Sequence, residues 1–290
     1  MAIIEMVDPG EEGVERAVKE YAGKYPEYAD ALRLYGEVMR IQQGALREVD
    51  CPITLDDDEV EARLTSGVTI IEAEELEIDP AKYRELVGKI CAVMDDRRPG
   101  GFSRSEELLS WEGLSDEKLP ETKRLVLGGK ELPLEREWEN EADSRLVSNV
   151  LWEALAPFYR KCGSIFASDM DQSLWQRGFC PVCGSGPLMG LFRDEDGLWL
   201  VECSLCHTLW NVQRARCPFC SESEGSLDYL YIEDDTSRRV QYCGSCKVYV
   251  KTVDLREGGR EVMLPLEDIV TYELDLAAGR EGLKPAAGRQ

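Results

Sequence analysis

The sequence predicts a multidomain α+β protein, in which an N-terminal all-α helical domain is followed by two tandem β modules built around cysteines. Three observations predict this class. Apolar residues recur every three or four positions in the first half, short β-like runs begin after Trp175, and four Cys-x-x-Cys pairs punctuate those runs. We predict a helical domain over 1–170, a first module over 171–212, a second over 213–276 and a flexible tail over 277–290.

The helical half opens with an amphipathic segment from Tyr28 that ends at the Asp-Cys-Pro sequence 50–52. A second helix is predicted over 79–95, with Asp79 as its N-cap. Short helices follow the turn-rich stretch at 97–105. At 290 residues and 43% apolar content, the chain is long enough for two domains.

A longer amphipathic run begins near Leu134 and contains Pro157. Because proline lacks an amide hydrogen, we expect it to kink this helix or to split it in two. The helices should pack as a bundle-like domain that ends near residue 170. No residue pattern in this half indicates catalysis, and we expect that the protein is not an enzyme.

The second half consists of short β-like runs between the cysteine pairs. The sequence Asp194–Gly197 is typical of a hairpin turn between the first two runs. The predicted strands cover 188–193, 198–203, 209–213, 227–233, 238–243 and 247–255.

Eight cysteines form the four pairs, and two residues separate the members of each pair. They are Cys180, Cys183, Cys203, Cys206, Cys217, Cys220, Cys243 and Cys246. Two thiolates at this spacing can converge on one ion, and two successive pairs have the spacing of a zinc-ribbon or rubredoxin-like site. We therefore predict two tetrahedral metal ions, zinc or iron, each held by four thiolates. Such a site is coordinatively closed, which favours a structural ion.

The pairing of the cysteine pairs is open on sequence alone. We favour sequential pairing, but the short spacing between Cys206 and Cys217 would also let the middle two pairs share an ion. Gly184 suits the positive φ that a metal knuckle often requires. His207, Ser221 and Lys247 occupy the equivalent positions of the other pairs, so only the first knuckle is ideal by this criterion.

His207, the single histidine, completes a Cys-x-x-Cys-His sequence. This is the motif of covalent haem attachment, but it lies within the cysteine ladder, and we expect no haem. We expect His207 to lie at the surface or beside the ligands rather than to bind metal. The other three cysteines, Cys51, Cys91 and Cys162, lie on or beside apolar helix faces and should be small buried residues.

Five aromatic residues lie between the knuckles: Trp199, Trp210, Tyr229, Tyr231 and Tyr242. We expect them to pack around the metal sites, with an exposed protein-docking face as the alternative.

Composition excludes several classes of function. The net charge is −23, and the cysteine-rich residues 180–276 carry 9 basic against 17 acidic residues, a balance of −8. A nucleic-acid-binding ribbon needs an excess of cations to neutralise phosphates, so nucleic acid is not an expected partner. No apolar run approaches the roughly 20 residues that span a bilayer, and the N-terminus lacks a signal-peptide pattern. We expect a cytoplasmic protein without membrane insertion, where reduced thiols favour metal ligation.

Several segments resemble the formate dehydrogenase accessory protein FdhE family. They are Trp175, GFCPVCGSGP at 178–187, ECSLCHTLWNVQRARCPFC at 202–220, YCGSCKVYVK at 242–251, the closing EDIVTYELDLAAGREG, and, more weakly, the helical ADALRLYGEVMRIQQ. The resemblance covers the C-terminal part well and the helical half loosely, and it does not extend to residues 95–135.

This resemblance implies a cytoplasmic assembly factor that binds the catalytic subunit of a molybdenum or tungsten formate dehydrogenase. It also implies that the eight paired cysteines are metal ligands, with iron as the ion proposed for the family. His207 departs from the residue expected at its position, which affects none of the ligands. The alternative functions are a rubredoxin-like electron carrier and, against the charge balance, a nucleic-acid-binding ribbon.

Overall fold

The computed structural model describes residues 9–97, 105–134, 141–168, 170–222, 227–232, 235–256 and 261–286. They fall into two compact units. The helical unit comprises Pro9–Thr54 and Ile71–Cys162, and the β unit comprises Leu55–Ile70 and the described part of Gly163–Arg289. None of the helices in these ranges combines the length and apolar character that crossing a bilayer requires.

The helices follow the predicted periodicity and add four that were not predicted: α1, α3, α8 and α9. In chain order the helices are α1 Gly10–Lys24, α2 Ala29–Ala45, α3 Asp57–Ser66, α4 Pro80–Arg97, α5 Ser105–Ser110, α6 Leu119–Leu127, α7 Glu141–Phe166, α8 Leu264–Val270 and α9 Tyr272–Arg280. Asp79 caps α4 as predicted, because its carboxylate accepts hydrogen bonds from the amides of Ala81 at 2.9 Å and Lys82 at 3.3 Å. The predicted turn-rich residues 98–104 lie outside the described residues.

Helix α7 is continuous through Pro157, so the proline does not split it. The residues on either side, Ala156 and Phe158, are 1% and 3% exposed. Dense packing around the proline therefore accompanies an unbroken helix. The described part of α7 begins at Glu141, and residues 135–140 of the predicted run lie outside the described residues.

Polar contacts tie α7 to the other helices of the helical unit. The buried Gln42 amide of α2 donates to the Glu153 carboxylate at 2.8 Å and to the Glu153 carbonyl at 3.0 Å. The Tyr83 hydroxyl of α4 donates to the Leu151 carbonyl at 3.0 Å. Both donors are almost fully buried. These bonds therefore satisfy the Gln42 amide hydrogens and the Tyr83 hydroxyl and hold α2 and α4 against α7.

Two of the three cysteines outside the ladder form a disulfide. Cys51 and Cys162 are bonded, with their Cα atoms 5.1 Å apart. Cys162 is fully buried, as expected, but the bond to Cys51 was not predicted, since a contact between residues 111 positions apart leaves no signal in local spacing. Cys91 is a free, buried cysteine, as expected.

Reducing the Cys51–Cys162 bond should lower the stability of the helical unit. Closing a loop of this length stabilises a protein by about 4–5 kcal/mol through the unfolded state, so Cys51→Ser should lower the melting temperature. A non-reducing digest analysed by mass spectrometry should yield the linked Cys51 and Cys162 peptides. The Cys91→Ser variant should keep them. Three reactive thiols at these positions in unreduced, denatured protein would contradict the bond.

The β unit is organised around one mixed sheet. Its strands are β1 Pro187–Phe192, β2 Trp199–Cys203, β3 Leu209–Asn211, β4 Leu227–Ile232, β5 Asp235–Cys243, β6 Val248–Asp254 and β7 Lys284–Pro285. The order is β3-β2-β1-β6-β5-β4, with β7 paired to β6. The six longer strands were predicted, with boundaries that differ by up to three residues.

The sheet consists of two three-stranded meanders. Strands β1, β2 and β3 pair antiparallel in succession, as do β4, β5 and β6. The meanders meet where β1 runs parallel to β6, with Gly190 opposite Thr252 and Phe192 opposite Asp254. The two predicted β modules are therefore joined edge to edge rather than separated by a linker.

Helices α8 and α9 pack on one face of the sheet. Leu264 of α8 and Leu274 of α9 are 2% and 1% exposed and lie in the apolar clusters beneath the strands. Arg238 of β5 donates to Glu267 at 2.7 Å. Six residues of the stretch predicted as a flexible tail have regular structure, because α9 extends to Arg280 and β7 is Lys284–Pro285. Residues 287–290 lie outside the described residues.

The β unit also includes a segment from the N-terminal half. Helix α3 begins with a capping box in which Asp56 and Glu59 exchange side-chain and backbone hydrogen bonds. After α3, the Ile70 amide donates to the Pro181 carbonyl at 2.9 Å, inside the first cysteine pair. The predicted helical domain over 1–170 therefore does not describe residues 55–70, which pack in the β unit.

Candidate metal centres

The first cluster brings together Cys180, Cys183, Cys203 and Cys206. The sulfur atoms of Cys180 and Cys206 are 3.5 Å apart, and those of Cys183 and Cys203 are 3.4 Å apart. Three of the four residues are at most 2% exposed, and Cys183 is half-buried. The cluster lies between the knuckle that precedes β1 and the knuckle that follows β2.

The second cluster repeats this arrangement with Cys217, Cys220, Cys243 and Cys246. The sulfur atoms are 3.8 Å apart both for Cys217 with Cys246 and for Cys220 with Cys243. It is the more open cluster, because Cys220 is exposed and Cys246 is half-buried. The grouping is sequential in both clusters, so the alternative in which the middle two pairs come together does not describe this structure.

These sulfur separations fit a tetrahedral metal ion. Zinc–sulfur bonds of about 2.3 Å in a regular tetrahedron place the sulfurs about 3.8 Å apart. The second cluster has this separation, and the first is slightly tighter. Disulfide sulfurs would lie only about 2.05 Å apart. The donor set of four thiols is suited to zinc or iron.

The electrostatics of the first cluster favour a cation. Burial raises the pKa of the Cys180 and Cys203 thiols well above the ordinary value. Deprotonation of both thiols therefore requires a compensating positive charge, which a metal ion supplies. The amides of Leu205 and Cys206 point at the Cys203 sulfur at 3.4 Å, and the Thr208 hydroxyl oxygen lies 3.2 Å from the Cys206 sulfur. These groups would donate to bound thiolates.

All four knuckles share one backbone conformation. The residue after each pair has positive φ, at 77° for Gly184, 58° for His207, 61° for Ser221 and 62° for Lys247. The prediction that only the first knuckle is ideal was thus incomplete, because non-glycine residues adopt the same turn in the other three. A positive φ raises the conformational free energy of such residues, because their Cβ crowds the backbone, whereas glycine has no Cβ.

Relief of this cost should be measurable at Lys247, whose side chain is exposed. The Lys247→Gly variant should gain about 1 kcal/mol in free energy of unfolding, seen as a higher melting temperature of the metal-loaded protein. Gly184→Ala should lose a similar amount of unfolding free energy, because alanine resists the positive φ of this position. A steric clash would not add to the loss, since the new Cβ would lie 3.4 Å from the Thr69 methyl, an ordinary contact distance. Destabilisation by Lys247→Gly would show that its turn carries no such cost.

His207 is not part of either cluster. Its Nδ1 contacts the Glu202 carboxylate, and both side chains are buried, at 7% and 5% exposure. Of the two positions expected for His207, the structure shows the one beside the clustered cysteines and not the one at the surface. The contact with Glu202 fixes the orientation of the His207 ring.

The aromatic residues between the knuckles divide into two groups. Trp199 and Trp210 are buried at 2% and 0% exposure, as expected for packing. Tyr229 and Tyr231 are instead exposed at 42% and 44%, and Tyr242 is half-buried. The two tryptophans therefore pack in the interior, whereas the two tyrosines of β4 lie on an exposed face.

Residues remote in sequence support the first cluster and were not predicted. A Cβ on Gly163 would lie 3.0 Å from the Thr208 hydroxyl oxygen and 3.3 Å from the Cys206 carbonyl oxygen. Ile70 bonds to Pro181 from the segment after α3. A side chain at Gly163 would crowd Thr208 and Cys206 beside the cluster, but a single glycine within a helical pattern carries no signal of that contact.

The fold and the clusters define a class: an α+β protein with two zinc-ribbon-like tetracysteine centres in one sheet. Comparison with known proteins agrees with this class. The crystal structure of the FdhE protein from Pseudomonas aeruginosa superimposes with a TM-score of 0.67, covering 97% of this chain and 95% of that one at 21% identity. That likeness establishes the fold.

Sequence comparisons show similarity to the same group of proteins. The family model described as "FdhE, central domain" matches residues 179–214, which include the first cluster. A "Protein FdhE homolog" of Aquifex aeolicus is 28% identical over 89% of this chain and 87% of its own length. Another from Pectobacterium carotovorum is 25% identical over 91% of this chain and 81% of its own length. A third from Actinobacillus pleuropneumoniae is 32% identical over 46% of this chain and 44% of its own length. The chain is thus similar to FdhE proteins along most of its length, and most specifically over residues 179–214.

Proposed function

We propose that this protein is a cytoplasmic accessory factor for formate dehydrogenase maturation and that it binds the catalytic subunit of a molybdenum or tungsten formate dehydrogenase. The observation that carries the proposal is the pair of four-thiol clusters in a chain that is similar to FdhE proteins. A metal ion with four protein thiolates has no open coordination position for a substrate. The protein would therefore act by binding another protein and not as an enzyme.

The eight clustered cysteines would each supply one thiolate to a metal ion, and each cluster would hold one zinc or iron ion. The metals would stabilise the knuckles at the ends of both meanders, since structural metal binding contributes directly to folding. The role proposed for the sheet is that of a scaffold that presents a surface to the partner. The negative charge of the chain agrees with the exclusion of nucleic acid as that partner.

A co-purification experiment tests this function. A tagged copy of the chain, expressed in cells that produce formate dehydrogenase, should recover the catalytic subunit, and deletion of the gene should abolish formate oxidation. A copy with Cys203→Ser is the matched control, because it should lose the folded first cluster. Normal formate oxidation in the deletion strain would overturn the proposal.

A second candidate is a rubredoxin-like electron carrier. The exposed Cys220 favours it, because an electron could reach the second cluster through this residue. Amides directed at the sulfurs of Cys203 and Cys217 are also a feature that tunes the potential of iron–thiolate sites. This candidate requires iron and a visible spectrum that changes reversibly on reduction. Protein isolated without oxygen that contains only zinc would exclude it.

A further inference from the structure

A groove in the β unit lies between helix α3, the last turn of α7 and the turn that follows α7. We call it the α3–α7 groove, and its volume is about 260 Å³. The apolar side chains that line it include Val60 and Leu64 of α3 and Ile165 and Phe166 of α7. Leu64 and Phe166 are 2% and 8% exposed, whereas Ile165 is 47% exposed. The groove therefore combines a buried apolar floor with one large aliphatic side chain that faces solvent.

The rim of the α3–α7 groove is negatively charged. Asp57, Glu61 and Asp171 line it, and no lysine or arginine is among its described lining residues. All three carboxylates belong to exposed residues. Hydrogen bonds from the side chain and amide of Ser173 hold the pKa of Asp171 below its usual value, so this group stays charged at neutral pH. A cation is therefore the charged group that this rim would attract.

Local helix structure accounts for some of this negative charge but not for Glu61. Helix α3 begins at Asp57, and the helix dipole favours carboxylates in the first turn. Glu61 lies beyond that turn, at a spacing of four residues from Asp57, where two like charges repel each other and destabilise the helix. Neither side chain forms an ion pair within the described parts of the chain. A positively charged partner would relieve this repulsion.

Hydrogen bonds hold the walls of the groove in place. At the start of α3, the Glu59 amide donates to the Asp56 carboxylate at 2.9 Å. In the turn after α7, the Gln172 side chain donates to the Leu209 carbonyl at 3.2 Å and accepts from the Asn211 amide at 3.0 Å. This turn is thus fixed to strand β3. Because the walls are ordered before a partner arrives, binding would require little further ordering of them.

The size and walls of the groove indicate the kind of occupant. Small-molecule sites usually measure about 300–1,000 Å³, so a groove of about 260 Å³ better suits apolar side chains that project from a larger partner. Helices α3 and α7 bond their main-chain groups internally, so they offer no sheet edge to an extended strand. An amphipathic helix also bonds its own main chain and can place its apolar face in such a groove.

We propose that the α3–α7 groove binds a basic amphipathic helix of a partner protein. Apolar side chains of that helix would pack beside Ile165, and its lysines or arginines would pair with Glu61 and the other carboxylates of the rim. The inference rests on the proposed function only for the identity of the partner.

The first test uses the full metal-loaded chain and a labelled peptide of about 14 residues, or four helical turns. The peptide has leucines at every third or fourth position and lysines elsewhere. Fluorescence anisotropy should show binding, and Glu61→Lys and, separately, Ile165→Glu should each weaken it about tenfold or more. Glu273→Lys and Leu276→Glu on α9 are the matched controls, because both residues are exposed but do not line the groove.

Three outcomes of the peptide test would overturn the proposal. Equal weakening by Glu61→Lys and Glu273→Lys would assign the binding to the net charge of the chain. Unchanged binding by both groove variants would show that the peptide binds elsewhere. Equally tight binding of a leucine–lysine peptide with a central proline, which breaks a helix, would exclude a helical partner.

The second test uses the formate dehydrogenase catalytic subunit with the same variants, after their metal content and melting temperatures are matched to wild type. Loss of binding in the groove variants but not in the α9 variants is expected. Unimpaired binding by the groove variants would overturn the groove while leaving the proposed function. Peptide binding without any binding of the subunit would support the groove and overturn the function. A dimer in solution that Ile165→Glu abolishes would assign the groove to a second copy and overturn the basic partner.

Discussion

Replacing Cys203 with serine should remove one metal ion per chain and unfold the first meander. Cys203 is fully buried, and two backbone amides point at its sulfur, so a serine cannot restore the ligand set. Structural zinc sites contribute an apparent 10–16 kcal/mol or so in small peptides, which is comparable to or larger than the roughly 5–15 kcal/mol stability of a whole domain. The expected loss is therefore the largest of any single substitution considered for this protein.

Elemental analysis and thermal melting measure the effect of Cys203→Ser. The variant should retain one metal ion, bound by the cluster of Cys217, and the reciprocal Cys217→Ser variant should retain the other. Cys91→Ser is the control, because Cys91 is buried and free but lies outside both clusters, so that both ions should stay. Loss of both ions from Cys203→Ser alone would contradict two separate sites.

The second cluster should release its metal before the first. Cys220 is exposed and Cys246 half-buried, whereas Cys180, Cys203 and Cys206 are at most 2% exposed. Attack by a chelator or an alkylating reagent requires access to the sulfur or the ion, so the rates should differ by about tenfold or more. The release of metal should therefore have a fast and a slow phase of equal amplitude.

A colorimetric chelator assay follows both phases, and mass spectrometry of samples alkylated for short times identifies the thiol that reacts first. Cys220 should be modified first. In the Cys220→Ser variant the fast phase should be absent, with the slow phase unchanged. A single rate for both ions, or first modification at Cys183, would show that exposure does not control release.

The sequence was most informative where the structure depends on local patterns. The strands and the eight ligand candidates were predictable because two-residue spacing and short β-like runs act over a few neighbouring residues. The same spacing favoured sequential grouping but also allowed the middle two pairs to share an ion. The buried tryptophans were also expected, since large aromatic residues between small metal sites have few other places to pack.

Other features depend on contacts that no local pattern encodes. The Cys51–Cys162 bond and the hydrogen bond from Ile70 to Pro181 join residues far apart in the chain. The left-handed turns at His207, Ser221 and Lys247 run against residue preference, and each follows a Cys-x-x-Cys pair of the two clusters. The join between β1 and β6 was not predictable because either meander alone satisfies the same strand pattern.

The order in which the chain is synthesised gives the α3 segment a particular importance. Residues 55–70 belong to the β unit, but their neighbour Pro181 and all eight clustered cysteines follow much later in the chain. During translation, this segment lacks its partners in the β unit while the intervening helices emerge and fold from local contacts. The β unit can close only after its last strand, β7 at Lys284–Pro285, has been synthesised, so its assembly follows the synthesis of all the helices of the helical unit.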